Sequence, residues 1–156
     1  MTGTRRGRRG FTVIEFVILA AILAALAAVA VPKFASLLRK TREGNTKGRL
    51  AAMRAALSLY AADHMGKFPT DHLESLTLGG KYLKKGIPAA DVPGLHPKTR
   101  TVTNNSDLKP PQLEALDNGG WSYWSSPSIK TPGYAWGALW LGCGHTDAQG
   151  TLWTLY

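Results

Sequence analysis

The sequence holds a single cysteine, Cys143, so no disulfide can form within the chain. Acidic side chains are scarce: ten face nineteen basic ones, for a formal charge of +9. Four of the basic residues, Arg5, Arg6, Arg8 and Arg9, precede Phe11; the other fifteen are spread along the chain. That balance attracts acidic polymers non-specifically but lacks the clustered patch of a nucleic-acid reader, so no specific nucleic acid is expected. There is no Gly-x-Ser-x-Gly or similar frame for a serine nucleophile, and enzymatic activity is not expected. Proline is missing from residues 33–65, which leaves a long stretch free to be helical.

What is present in quantity is apolar sequence, and it is weighted to the front. Residues 16–31 are all Phe, Val, Ile, Leu or Ala. Counted from Phe11, the run spans about 21 residues and contains one charge, Glu15. A bilayer-spanning helix needs roughly 20 such residues. An ionisable group in one costs about 2.5–3.5 kcal/mol at the helix centre on insertion scales, and less near the end. Positive charge before an apolar span holds that end in the cytoplasm. Residues 1–10, Gly- and Arg-rich, cannot pack and form a leader. By themselves these residues allow three readings. Arg8 and Arg9 could belong to a twin-arginine export signal with a small-residue cut near residues 28–30. The run could be a plain signal anchor. Or the cut could fall between Gly10 and Phe11, ahead of the apolar segment.

Gly10-Phe11-Thr12-Val13-Ile14-Glu15, the unbroken apolar run and then Pro32 resemble the start of type IV pilins and type II secretion pseudopilins. The match covers residues 8–34, about a fifth of the chain. The resemblance implies that a prepilin peptidase cuts after Gly10 and methylates Phe11. It places Glu15 on the family's signature glutamate, the fifth mature position, and Pro32 on its proline. Thr12 would join Glu15 and Pro32 as an assembly residue. It further implies a single-pass inner-membrane protein with its head in the periplasm, drawn by an assembly platform and ATPase into a periplasmic pseudopilus or a surface pilus made of copies of itself. One departure is Ala24, where the family often has a glycine and where the helix can melt on assembly. The lone cysteine departs from pilins stapled by two; it fits the major pseudopilin better, and also short disulfide-free pilins. The rival function is an exported binding module or enzyme behind a twin-arginine signal or signal anchor.

Glu15 has two physical roles open to it. Cleavage would free an α-amine at Phe11, with a reference pKa near 7.7–8.0 against about 4.3 for Glu. Pairing one subunit's amine with a neighbour's Glu15 would neutralise both. Alternatively the carboxylate serves the N-terminus of its own helix, where the macrodipole favours an anion.

Past Val31 the chain becomes amphipathic. Pro32 removes a hydrogen bond to the Ala28 carbonyl, yet the helix is expected to continue to residue 65. Residues 11–34 would be the membrane or filament-core half, 35–65 the amphipathic half. Leu50, Met53, Leu57 and Tyr60 follow helical spacing and should face a head, with His64 next on the stripe. Arg39, Lys40, Arg42, Lys47, Arg49 and Arg54 make a basic middle. Gly44 and Gly48 each cost about 1 kcal/mol against alanine, so after the kink or opening at Pro32 a second weak point is expected there. Gly66 and Pro69 close the helix.

The head, 66–156, divides into a loop region (66–120) and a sheet (121–156). Asp71 with Glu74 reads as a capping box for a short helix burying Leu73 and Leu76. Lys81, Tyr82, Leu83, Lys84, Lys85 and Pro88 again resemble the pilin family's loop. Residues 89–120 are expected to be an irregular excursion, with one helical turn at Leu113 and Leu116. Residues 121–124, 134–141 and 151–156 read as strands. The fold class is therefore α+β: a long helix on a small antiparallel sheet of three to four strands in meander order, as in a pilin head. The Trp and Tyr residues should be core. Cys143, His145 and Asp147 alternate, but zinc usually takes four ligands, so no metal is expected. Related pseudopilins bind calcium in head loops; Asp107, Glu114, Asp117 and Asp147 are too sparse to match that pattern, so calcium is a remote prospect. His64, His72 and His96 are expected to be solvated.

Overall fold

The computed structural model describes residues 10–104, 117–128 and 135–156. The chain divides after Leu38 into two units. A single helix, α1 (Val13–Asp63), runs through Pro32, Gly44 and Gly48 without interruption. Up to Leu38 every described residue is exposed, fifteen large apolar side chains among them. By length and composition this part of α1 is able to cross a bilayer.

In the second unit the expected stripe is buried: Leu50, Met53 and Leu57 are joined by Ala56 and Ala61, and Tyr60 packs at the margin. His64 is exposed, with its ring stacked 3.9 Å from that of Tyr60. The helix ends in a Schellman-type closure. The Gly66 amide donates to the Ala61 carbonyl at 2.7 Å, and Met65 takes the left-handed conformation, φ 56°.

Half of the basic middle, Lys47, Arg49 and Arg54, is bonded to the head. Arg49 donates to the Ala89 carbonyl at 2.8 Å, and Arg54 donates to the carbonyls of Leu139 (2.7 Å) and Tyr156 (2.5 Å). Arg39 pairs with Glu43 at 3.0 Å, and the other Glu43 oxygen accepts the Ala148 amide. Thr46 clasps Asp91 by both its carbonyl and its amide. Glu43, Thr46, Arg49 and Arg54 are thus the polar fastening of helix to head.

The sheet corrects two expectations. It has three short strands, β1 (Val102–Asn104), β2 (Trp121–Tyr123) and β3 (Leu139–Leu141), in that spatial order. It is mixed, not antiparallel: β1 runs parallel to β2, with Val102 opposite Trp121, and β3 runs antiparallel, with Trp121 opposite Leu141. Strand β1 falls in the stretch expected to be irregular, as does a bridge between Ala90 and Thr99. A parallel pair needs a connection of about a dozen residues or more, which residues 105–120 supply; a tight-turn meander cannot place β1 there. The expected turn at Leu113 and Leu116 lies outside the described residues.

Of the strand expected over 134–141, residue 134 lies outside the described residues, and from 135 on only Leu139–Leu141 are strand. Gly137 has φ 87° and lies against the Phe68 ring, where a Cβ would come within 2.6 Å of it. The alternation therefore breaks before Leu139. Residues 151–156 are not a strand either. The amides of Gln149 and Thr151 are taken by Asp147, and Trp153–Leu155 close as a 3-10 turn on the carbonyls behind them. Leu73 and Leu76 are buried as expected. Asp71 does accept the amides of Leu73 and Ser75, but over a 3-10 turn (Glu74–Leu76) rather than an α-helix. Trp121, Tyr123, Trp124 and Trp153 are fully buried and Trp140 nearly so, which makes these five core, while Tyr60, Tyr82, Trp136 and Tyr156 are partly buried. Trp121 Nε1 and the Tyr123 hydroxyl each donate 2.7 Å bonds to the carbonyls of Pro88 and Pro69.

Candidate functional site

Arg8 and Arg9 lie outside the described residues. Gly10 and Phe11 are exposed, without regular secondary structure, and just ahead of α1. The helix begins with a full capping box. Thr12 is the N-cap; its Oγ1 accepts the Glu15 amide at 3.3 Å, and Glu15 Oε2 accepts the Thr12 amide at 2.8 Å. The Thr12 hydroxyl also donates to the same Oε2 at 2.7 Å. Glu15 therefore serves its own helix end, one of the two roles open to it, and all its bonds in the box fall on one oxygen. The Thr-x-x-Glu signature was present in the sequence; the apolar residues around it drew attention to the charge rather than to the cap. Pro32 sits inside α1 with its neighbours exposed.

In the head, Cys143, His145 and Asp147 do not face one site. Asp147 is buried and turned toward α1, where Lys47 Nζ approaches Oδ2 at 2.5 Å and the Tyr156 hydroxyl donates at 2.7 Å. Burial pushes its carboxyl up, but Lys47, Tyr156 and the two turn amides outweigh that and hold it well below the usual carboxylate range. Burial likewise pushes Lys47 down, and its contacts with Asp147 and Tyr156 overcome this and raise it.

The place of Asp147 is taken by two residues from elsewhere. His96, Asp117, Cys143 and His145 present four ligand-type atoms, all within 4.8 Å of one another. Asp117 Oδ1 is 2.8 Å from His96 Nε2 and 3.3 Å from His145 Nδ1, and it accepts the Gly144 amide at 3.1 Å. Cys143 Sγ is 3.6 Å from the same His145 nitrogen. Burial pushes the Cys143 thiol up. Partial burial also pushes Asp117 up, but the Gly144 amide and the two imidazoles bring it below the usual range. His96 is not solvated as expected: its side chain is 11% exposed, and its Nε2 is buried against Asp117 Oδ1. The reason is Gly119, whose φ of 67° and missing Cβ let the His96 side chain lie against its backbone.

Sequence reasoning found half of this cluster, because only Cys143-Gly144-His145 is a local pattern. His96 and Asp117 arrive through the bridge near Ala90 and the turn into β2. Of the carboxylates considered for calcium, Asp107 and Glu114 lie outside the described residues. Asp117 and Asp147 are engaged by different partners. No family model, curated protein or solved structure matches the chain.

Proposed function

We propose that this chain is a structural subunit of a type IV pilin or major pseudopilin kind, cut after Gly10, methylated at Phe11 and polymerised through α1. The observation that carries the reading is the exposed apolar surface from Phe11 to Leu38. Covering one large apolar side chain is worth about 1.5–3 kcal/mol. Fifteen of them offer on the order of 20 kcal/mol or more to whatever covers them, above the roughly 5–15 kcal/mol of an ordinary domain's stability. A bilayer, then copies of the same helix, would provide that cover. The capping box outlasts a cut after Gly10, since Thr12 and Glu15 both remain. Glu15 Oε1 is left to face a neighbour's freed amine. The partners are then copies of the chain, prepilin peptidase, the membrane, and an assembly platform with its ATPase.

The test is electron microscopy of cells that express the chain with a pilus or pseudopilus assembly system. Fibres that contain this chain, and vanish when residues 11–38 are scrambled with composition kept, support the reading. The chain remaining dispersed in the membrane under the same conditions opposes it. A second reading, a head held by a signal anchor, is favoured by the intrachain use of Glu15, which gives that residue a purpose without any neighbour.

A further inference from the structure

We propose that His96, Asp117, Cys143 and His145 form a site for one zinc-class divalent ion that ties three segments of the head together. In a four-coordinate zinc site with bonds of about 2.0–2.3 Å, neighbouring ligand atoms stand roughly 3.3–3.6 Å apart. The Cys143–His145 separation of 3.6 Å and the Asp117–His145 separation of 3.3 Å already have that spacing. His96 Nε2, at 2.8 Å from Asp117, would draw back by about half an ångström, and the wider pairs of the four atoms, all within 4.8 Å, would close in. The buried His96 Nε2 faces the Asp117 carboxylate of the same cluster rather than solvent. A thiolate, a carboxylate and two neutral imidazoles carry two negative charges, which balance a divalent cation. Thiolate and imidazole suit zinc and are poor ligands for calcium or magnesium, which select oxygen.

The placement explains what such an ion would do. His96 lies between the bridged residues Ala90 and Thr99. Asp117 leads into β2, and Cys143 and His145 leave β3 just beyond the paired Gly119 and Gly142. One ion would close the loops between these segments, a cross-link the single cysteine cannot make by disulfide. Asp117 and His145 are 41% and 45% exposed, so the site is open to solvent on one side for metal entry. The Gly144 amide on Asp117 Oδ1 orients the carboxylate from outside the ligand set.

The experiment uses the untagged full-length chain in detergent, stripped with a chelator and titrated with zinc against a chromophoric competitor, then with cobalt for its spectrum. Expected are one equivalent of zinc per chain with a submicromolar Kd, and a cobalt spectrum with intense four-coordinate bands and a thiolate charge-transfer band. Cys143→Ser should remove the thiolate band. Because Cys143 is buried, Asp117→Asn and His145→Ala provide the second arm; each should weaken zinc binding by about tenfold or more. His72→Ala, an exposed imidazole elsewhere, should leave the affinity unchanged. No stoichiometric zinc at about ten micromolar free ion, calcium bound in preference, or affinity indifferent to both Asp117→Asn and His145→Ala would overturn the proposal.

Discussion

Lys47 and Asp147 stand one hundred residues apart in sequence, and their charged atoms meet at 2.5 Å between the helix and the C-terminal turn. The lysine also lies over the Tyr156 ring, 3.9 Å from its centre. Removing one partner leaves the other charge, or the turn amides, without compensation. Asp147→Ala is expected to destabilise the head by about 3 kcal/mol. Lys47→Met should cost less, because the lysine side chain is about a quarter exposed and its aliphatic stem is retained. Chemical denaturation of the chain lacking residues 1–38 measures both.

The same pair sets a pH window. Asp147 is held below its unfolded value, so its contribution is complete above about pH 4 and declines as pH falls toward the folded pKa. Lys47 is raised, so its contribution is complete below about pH 10 and is lost as pH rises through the folded value. Stability of the head should be level between those limits on this account and fall on both sides. In Asp147→Asn the acid limb should flatten, which a series of thermal melts across pH would reveal.

Glu15 can be interrogated by a substitution that separates its two roles. Gln keeps the capping box, since a glutamine at that position also reaches back to the N-cap amide. It removes the charge that a neighbour's amine would meet. If pairing between subunits drives assembly, Glu15→Gln and Glu15→Ala should both lose fibres, by an order of magnitude or more on pelleting. If capping is what matters, Glu15→Gln should assemble normally. Thr12→Ala, worth about 1 kcal/mol of capping, should then mimic Glu15→Ala.

Gly119 is expected to be intolerant of any side chain. A Cβ there would sit 2.3 Å from the Cβ of His96, and φ 67° is unfavourable for other residues. Gly119→Ala should destabilise by about 1–3 kcal/mol and displace the His96 ring. A comparison of melting temperature and of the His96 imidazole signals by NMR would show both effects.

Deleting residues 1–38 should yield a soluble, folded monomer, because all of the buried core lies at or beyond residue 43. Sedimentation and circular dichroism would check it. A truncated head that associates as strongly as the whole chain would mean that α1 is not the assembly element.

The N-terminal half of the molecule was legible because its signals are local. An apolar run, a proline-free stretch and the 3-4 spacing of Leu50, Met53 and Leu57 describe one continuous helix. The short elements of the head were not legible, for identifiable reasons. Strand β1 holds only Val102, Thr103 and Asn104, and its partner is a parallel strand beyond a long connection, which no turn signature announces. Thr151 to Tyr156 alternates like a strand, but Asp147 captures the Thr151 amide and Trp153–Leu155 close as a 3-10 turn. The head cluster required His96 and Asp117, whose nearness to Cys143 depends on Gly119 and on the sheet ladder. His96 looked solvated because it stands in a turn-rich stretch, Pro93-Gly94-Leu95-His96-Pro97, that announces a surface loop.

The central claim is that the chain is a processed filament subunit, and the mass of its mature amino-terminal peptide tests it most directly. Protein recovered from the membranes of cells with prepilin peptidase is expected to begin at N-methyl-phenylalanine at Phe11. A mature chain beginning near Val31, or one retaining its leader, would contradict it.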